Sequence, residues 1–191
     1  MRIISRLDIK SPNLIKGIHL EGLKIIGNPI EIAKNYYKNG VDELLIIDSV
    51  ASLYDRDPCF ELLNRISKNI FCPITIGGGV KDLEIAIEIL NSGADKVSLN
   101  THAVRNPKVI KDIKKVIGSQ SLVISIEAKK RSNNKWEVFI ENGREPTKID
   151  VIDWIKKVNK LGCGEILLTS IFFEGTREGF DYNLYKIASK V

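Results

Sequence analysis

One phrase recurs at intervals along this chain and limits what it can fold into. Residues 39–48 read NGVDELLIID, residues 92–100 read SGADKVSLN, and residues 161–169 read LGCGEILLT. In each, a glycine closes one segment and a charged residue opens a short apolar run. Runs of this kind, without polar alternation, form strands buried on both faces. The segments leading into them are amphipathic and carry helix stop signals, such as Gly40 after Pro29–Asn39 and Gly93 after Lys81–Asn91.

The whole chain follows the same alternation. Strands are expected at Arg2–Lys10, Glu43–Asp48, Ile74–Ile76, Lys96–Leu99, Ser121–Glu127 and Glu165–Ser170. Helices are expected to open at Asn28-Pro29, Asp57-Pro58 and Asn106-Pro107, near Asp150, and at Asp181. A polar loop through Lys16 and His19 follows strand one, and a hairpin around Trp136–Ile140 and Asn142-Gly143 follows strand five. Six strand–helix units in succession define an α/β protein with a parallel sheet. Leu7-Asp8-Ile9-Lys10 is echoed by Ile126-Glu127-Ala128-Lys129, which suggests two related halves, 1–118 and 119–191, of a single domain. A (β/α)8 TIM barrel explains that repeat; an open doubly wound sheet is the competing architecture. A barrel needs eight units, so the expected fold is a barrel truncated to about six, without strands seven and eight. Strands one and six would then each present an open edge.

Chemistry collects at the strand ends. Gly77–Gly79 follows strand three, and Asn100 and Thr101 end strand four, an arrangement suited to a phosphate or to a plain glycine turn. By strand parity, Asp8 and Glu127 face each other across the C-terminal rim, as a general acid/base pair or as ion-pair partners of Arg6, Lys10 and Lys129. Arg2, Glu43, Lys96 and Glu165 start their strands on the inward face and form a ring of alternating charge at the opposite end. The net charge of +5, with basic and acidic residues interspersed, favours an anionic small molecule over nucleic acid. Cys59, Cys72 and Cys163 lack metal-site spacing, so no metal is expected and a reducing cytoplasm is the natural setting. No apolar run suits a membrane span.

Arg-Leu-Asp-Ile-Lys, Leu-Ile-Lys-Gly, Gly-Gly-Gly-Val, Gly-Ala-Asp-Lys-Val-Ser-Leu-Asn-Thr, Glu-Ala-Lys-Lys and Gly-Glu-Ile-Leu-Leu-Thr-Ser together resemble the cyclase subunit of imidazole glycerol phosphate synthase, from Arg2 to Asp181. The resemblance implies a barrel that receives ammonia from a glutaminase docked on its N-terminal face, with no cofactor. Asp8 and Glu127 would be catalytic, and Lys16, Gly79, Asn100, Thr101, Thr169 and Glu174 would hold substrate. Arg2, Glu43, Lys96 and Glu165 would form the ammonia gate. Three departures stand out: Glu127 replaces an aspartate while Phe172 and Glu174 stand where histidine-pathway enzymes carry aspartates, Arg6 replaces a small residue, and strands seven and eight with the second phosphate site are absent. The phrases Arg-Leu-Asp-Ile-Lys-Ser-Pro-Asn-Leu-Ile-Lys-Gly-Ile-His-Leu-Glu-Gly-Leu and Ser-Ile-Glu-Ala-Lys most resemble a sister branch that adds acetamidino groups to surface-polysaccharide sugars, in which Glu127 would be a branch feature. The histidine-pathway cyclase is the alternative, and a non-catalytic glutaminase-docking module is a third reading.

Overall fold

A computed structural model describes residues 2–132 and 134–191. The chain divides into two compact units, one made of residues up to 16 with 24–99, the other of 17–23 with 100–191.

The first unit opens with β1 (Ile4–Lys10), which turns back into β2 (Asn13–Ile18) and β3 (Glu21–Gly27). Then follow α1 (Pro29–Lys38), β4 (Glu43–Asp48), α2 (Phe60–Ser67), β5 (Ile74–Gly77), α3 (Leu83–Asn91) and β6 (Lys96–Leu99). Strands β1, β4, β5 and β6 lie parallel and adjacent, with Asp8 opposite Ile47, Ile46 opposite Ile76, and Thr75 opposite Lys96. Their apolar residues Leu7, Leu44, Ile46, Ile74, Ile76 and Val97 are buried, as continuous β-branched and leucine runs demand. Asn28 caps α1 by accepting from the N–H groups of Ile30 and Glu31, and Asp82 caps α3 through the N–H of Ile85.

The second unit contains α4 (Thr101–Arg105), α5 (Lys108–Ile117), β7 (Leu122–Ser132), β8 (Lys135–Ile140), β9 (Glu145–Asp150), α6 (Val151–Leu161), β10 (Glu165–Ser170) and α7 (Tyr182–Ala188). β10 runs parallel to β7, from Glu165 opposite Val123 to Ser170 opposite Ala128. β8 returns antiparallel along the far half of β7, with Glu127 opposite Phe139, and β9 adds beyond it.

The α/β class and the six expected parallel strands agree with the sequence reading, and four features differ. The segment expected as a polar loop through Lys16 and His19 is the β2–β3 hairpin. Its turn places His19 and Leu20 at φ 55° and 64°, a left-handed pair without the Asn-Gly signature that would announce it. Asp57-Pro58 does not open α2: the helix starts at Phe60 with no side-chain cap, and Asp57 pairs with Lys81 at 2.9 Å. A short helix, α4, precedes the one expected after Asn106, which terminates it. The edge of strand one that was expected to be open is covered only over its last three residues. Asp8–Lys10 pairs with Asn13–Ile15 of β2, which passes the outermost position to β3.

Candidate active site

Asp8 lies near the end of β1 and is only 6 % exposed. Its neighbours Leu7 and Ile9 are buried as well, so both faces of the strand are covered here. Arg6 donates from Nε to Asp8 Oδ1 at 2.7 Å, and Lys16 on β2 donates from Nζ to Oδ2 at 3.2 Å. Arg6 was one of the ion-pair partners expected of Asp8. Lys16 arrives because the hairpin folds back, with Ile15 in register with Asp8. Arg6 and Lys16 together compensate the charge of a carboxylate that burial would otherwise disfavour.

Gly77–Gly79 closes the end of β5 against β4. A Cβ on Gly78 would stand 2.2 Å from the Asp48 carbonyl oxygen, and one on Gly79 would stand 2.6 Å from that of Arg56. Both residues also have positive φ, 92° and 72°. Glycine is therefore required here by packing of the protein on itself, an explanation that needs no ligand. Beside them, Asp48 is gripped by Arg56 Nη2 at 2.9 and 3.0 Å and by the N–H of Val50 at 3.2 Å. Burial pushes the Asp48 carboxyl above its ordinary range, opposed by the Val50 N–H and the Arg56 guanidinium.

In the second unit the β8–β9 turn holds two expected site residues, Thr101 and Glu127, and the Leu20 carbonyl. The N–H of Glu141 donates to Thr101 Oγ1 at 3.1 Å, that of Gly143 donates to Glu127 Oε2 at 2.8 Å, and Asn142 Nδ2 donates to the Leu20 carbonyl at 3.1 Å. Thr101 and Glu127 are both buried, as is Thr169 on β10. Asn100 Oδ1 is buried without a hydrogen-bond partner, an acceptor poised for a donor. The backbone carbonyl of Glu174 accepts from the His19 N–H at 2.8 Å, and the exposed Phe172 ring stacks at a tilt on His19 with centroids 5.6 Å apart. The ties made by residues 141–143 were not foreseen; Asn142-Gly143 signalled a turn and nothing about what it holds.

Glu43, at the start of β4, is 2 % exposed and gathers two of its three expected companions. Lys96 Nζ lies 3.1 Å from Oε1 and Arg2 Nη1 lies 3.3 Å from Oε2. Thr75 adds a 2.8 Å hydrogen bond to Oε1 that sequence reasoning missed, although a polar residue between Ile74 and Ile76 was its signal. Glu165 opens β10 opposite Val123 in the second unit.

No group of three histidine, cysteine, aspartate or glutamate side chains among the described residues could hold a metal ion. Burial pushes the Cys72 and Cys163 thiols up, which makes both poor nucleophiles. No helix among the described residues is long and apolar enough to cross a membrane.

The fold is a parallel α/β chain with buried carboxylates on its strands and a glycine-closed β5, and comparison with known proteins shows its family. The family model described as histidine biosynthesis protein matches residues 2–191, and the chain belongs to that family. Among curated relatives, the imidazole glycerol phosphate synthase subunit HisF of Legionella pneumophila is 53% identical over 191 residues, covering 100% of this chain and 90% of that protein. The HisF subunit of Pyrococcus furiosus is 46% identical over 186 residues, 97% of this chain and 73% of its own length. That of Prochlorococcus marinus is 43% identical over 192 residues, 100% and 75%.

Proposed function

We propose that this chain is a HisF-type cyclase subunit of an imidazole glycerol phosphate synthase. In this reading it takes ammonia from a glutaminase partner and adds it to an anionic, bisphosphorylated substrate. The full-length match to synthase subunits carries the reading. The names of those relatives favour the histidine-pathway cyclase over the polysaccharide-sugar branch.

Roles follow from chemistry and position. Asp8 and Glu127 would move protons to and from the amine being added. Lys16 beside Asp8 would contact the anionic substrate, and Gly79, Asn100 and Thr101 would receive one phosphate. Thr169 and Glu174 would complete the substrate site on the β10 side. At the strand starts, Arg2, Glu43, Lys96 and Glu165 would admit ammonia.

The test is ammonia-dependent formation of imidazole glycerol phosphate by the purified chain, with ammonium salt and then with glutaminase and glutamine. Asp8→Asn and Glu127→Gln should each lower kcat by about a hundredfold or more while leaving substrate binding nearly intact. Glutaminase stimulation without product formation would instead identify a docking module that has lost its chemistry.

A further inference from the structure

The β8–β9 turn has an unusual backbone and an unusual set of attachments. Glu141, Asn142 and Gly143 all have positive φ, 53°, 56° and 76°. Three successive left-handed residues point neighbouring backbone N–H groups toward a common side, forming a concave nest for oxygen acceptors. Here the acceptors are the protein's own, Thr101 Oγ1 for the first N–H and Glu127 Oε2 for the third. Between them, Asn142 is 7 % exposed and uses its amide to hold the Leu20 carbonyl, at the tip of the β2–β3 hairpin.

That tip is docked by further contacts within the same unit. Leu20 is buried in a cluster with Phe139 and Ile171. The His19 N–H reaches the Glu174 carbonyl, and His19 Nδ1 lies 3.1 Å from the Ile171 carbonyl. Gly143 also fits against the tip directly, since a Cβ there would come within 3.0 Å of Leu20 Cδ1. Any outward movement of Leu20 therefore pulls on Asn142 and removes the wall against which Gly143 rests. Gly143 carries the donor to Glu127.

We propose that Asn142 is a positioning residue that couples docking of the Gly17–Leu23 tip to the alignment of the Glu127 carboxylate. Its catalytic consequence rests on the role proposed for Glu127 above; the mechanical coupling does not. When the tip is seated, Asn142 holds the left-handed turn in register and the Gly143 N–H is aimed at Glu127 Oε2. When the tip lifts, the turn loses its lateral anchor and the carboxylate loses a fixed donor. Coupling of this kind would tie proton transfer to a seated tip, because an error of about an ångström in a reacting group lowers a rate by up to a hundredfold.

Two substitutions isolate the donor. Asn142→Gly keeps a residue at ease with positive φ and removes the amide. Asn142→Asp keeps shape and left-handed tolerance but replaces the NH2 donor with an acceptor that cannot bond a carbonyl. Amide hydrogen exchange of His19 and Gly143, read by NMR on the full chain, reports tip docking and the Glu127 bond separately and requires no turnover. Both amides should exchange about tenfold faster or more in both variants, and kcat should fall about tenfold with KM changed less than threefold. Wild-type exchange at Gly143 in both variants overturns the coupling, as does an aspartate variant indistinguishable from wild type. Faster exchange at both amides with unaltered kcat overturns its catalytic consequence. An inactive wild type defeats the proposed function instead, and the exchange arms still decide whether Asn142 couples the two sites.

Discussion

Asp48 shows how a single side chain is balanced. It is buried at the end of β4, where removing a carboxylate from water opposes ionisation, and Arg56 with the Val50 N–H offsets that cost. Burial prevails, so the folded-state pKa lies above the ordinary 3.8. At intermediate pH the folded chain then holds a proton that the unfolded chain has released. The contribution of Asp48 to stability is accordingly greatest below the unfolded pKa and declines as pH rises through the raised value. Arg56→Gln removes the opposing cation, pushes that pKa higher and deepens the decline. Because Arg56 is partly exposed, the expected loss is modest, about 1–2 kcal/mol at pH 7, and it should be smaller at a second, lower pH below the raised pKa, where protonation of Asp48 removes the ion pair. Urea unfolding at the two pH values measures this, and an equal loss at both would assign Arg56 a packing role. Neither the Arg56 pairing nor that of Thr75 with Glu43 was legible in the sequence. Thr75 meets Glu43 through the β4–β5 register, and Arg56 reaches Asp48 because the connection after β4 folds back on the strand end. Asp8 was legible because the strand pattern Arg-Leu-Asp-Ile-Lys carries it.

Among the elements, legibility followed the strength of local signals. Glu43–Asp48, Lys96–Leu99 and Glu165–Ser170 match their expected bounds because apolar runs between charged ends leave little choice of register. The β2–β3 hairpin escaped notice because tertiary burial, not turn propensity, holds its turn. Leu20 in a left-handed conformation costs about 1–2 kcal/mol, while burying its side chain returns about 1.5–3 kcal/mol and spares a cavity beside Phe139 and Ile171. Burial wins, and a pair of substitutions tests the balance. Leu20→Gly relieves the backbone but empties the cluster, so it should destabilise by about 1–3 kcal/mol. His19→Gly relieves the backbone and gives up only an exposed side chain, so it should stay within about 1 kcal/mol of wild type. Urea midpoints with unchanged slopes compare the two. A larger loss at His19 than at Leu20 would place the hold on the tip in the imidazole rather than in the leucine.

For the chain as a whole, long-range charge and exposed strands act in opposite directions. A net charge of +5 keeps copies apart, and the interspersed signs leave no large single-sign block to attract nucleic acid. Against this, β3 is the outermost strand on its side of the sheet and both of its faces are wet: Ile25 is 67 % exposed and Ile26 is 56 % exposed. The sequence suggested an edge at strand one; pairing of Asp8–Lys10 with β2 covers the end of that edge and adds a further one at β3. An outermost strand with adjacent isoleucines on opposite faces is a template for pairing with another copy, restrained here by Glu21 and Lys24 on the same strand. The Debye length falls from about 10 Å at 0.1 M salt to about 3 Å at 1 M, so salt weakens the repulsion while leaving apolar contact intact. Sedimentation velocity should therefore show self-association that rises with salt and concentration. Ile25→Lys places a charge on one exposed face of β3 and adds to the net positive charge, so it should lower association at every salt concentration. Association that instead weakens with salt, or that ignores the substitution, would move its origin from β3 to charge pairing elsewhere on the surface.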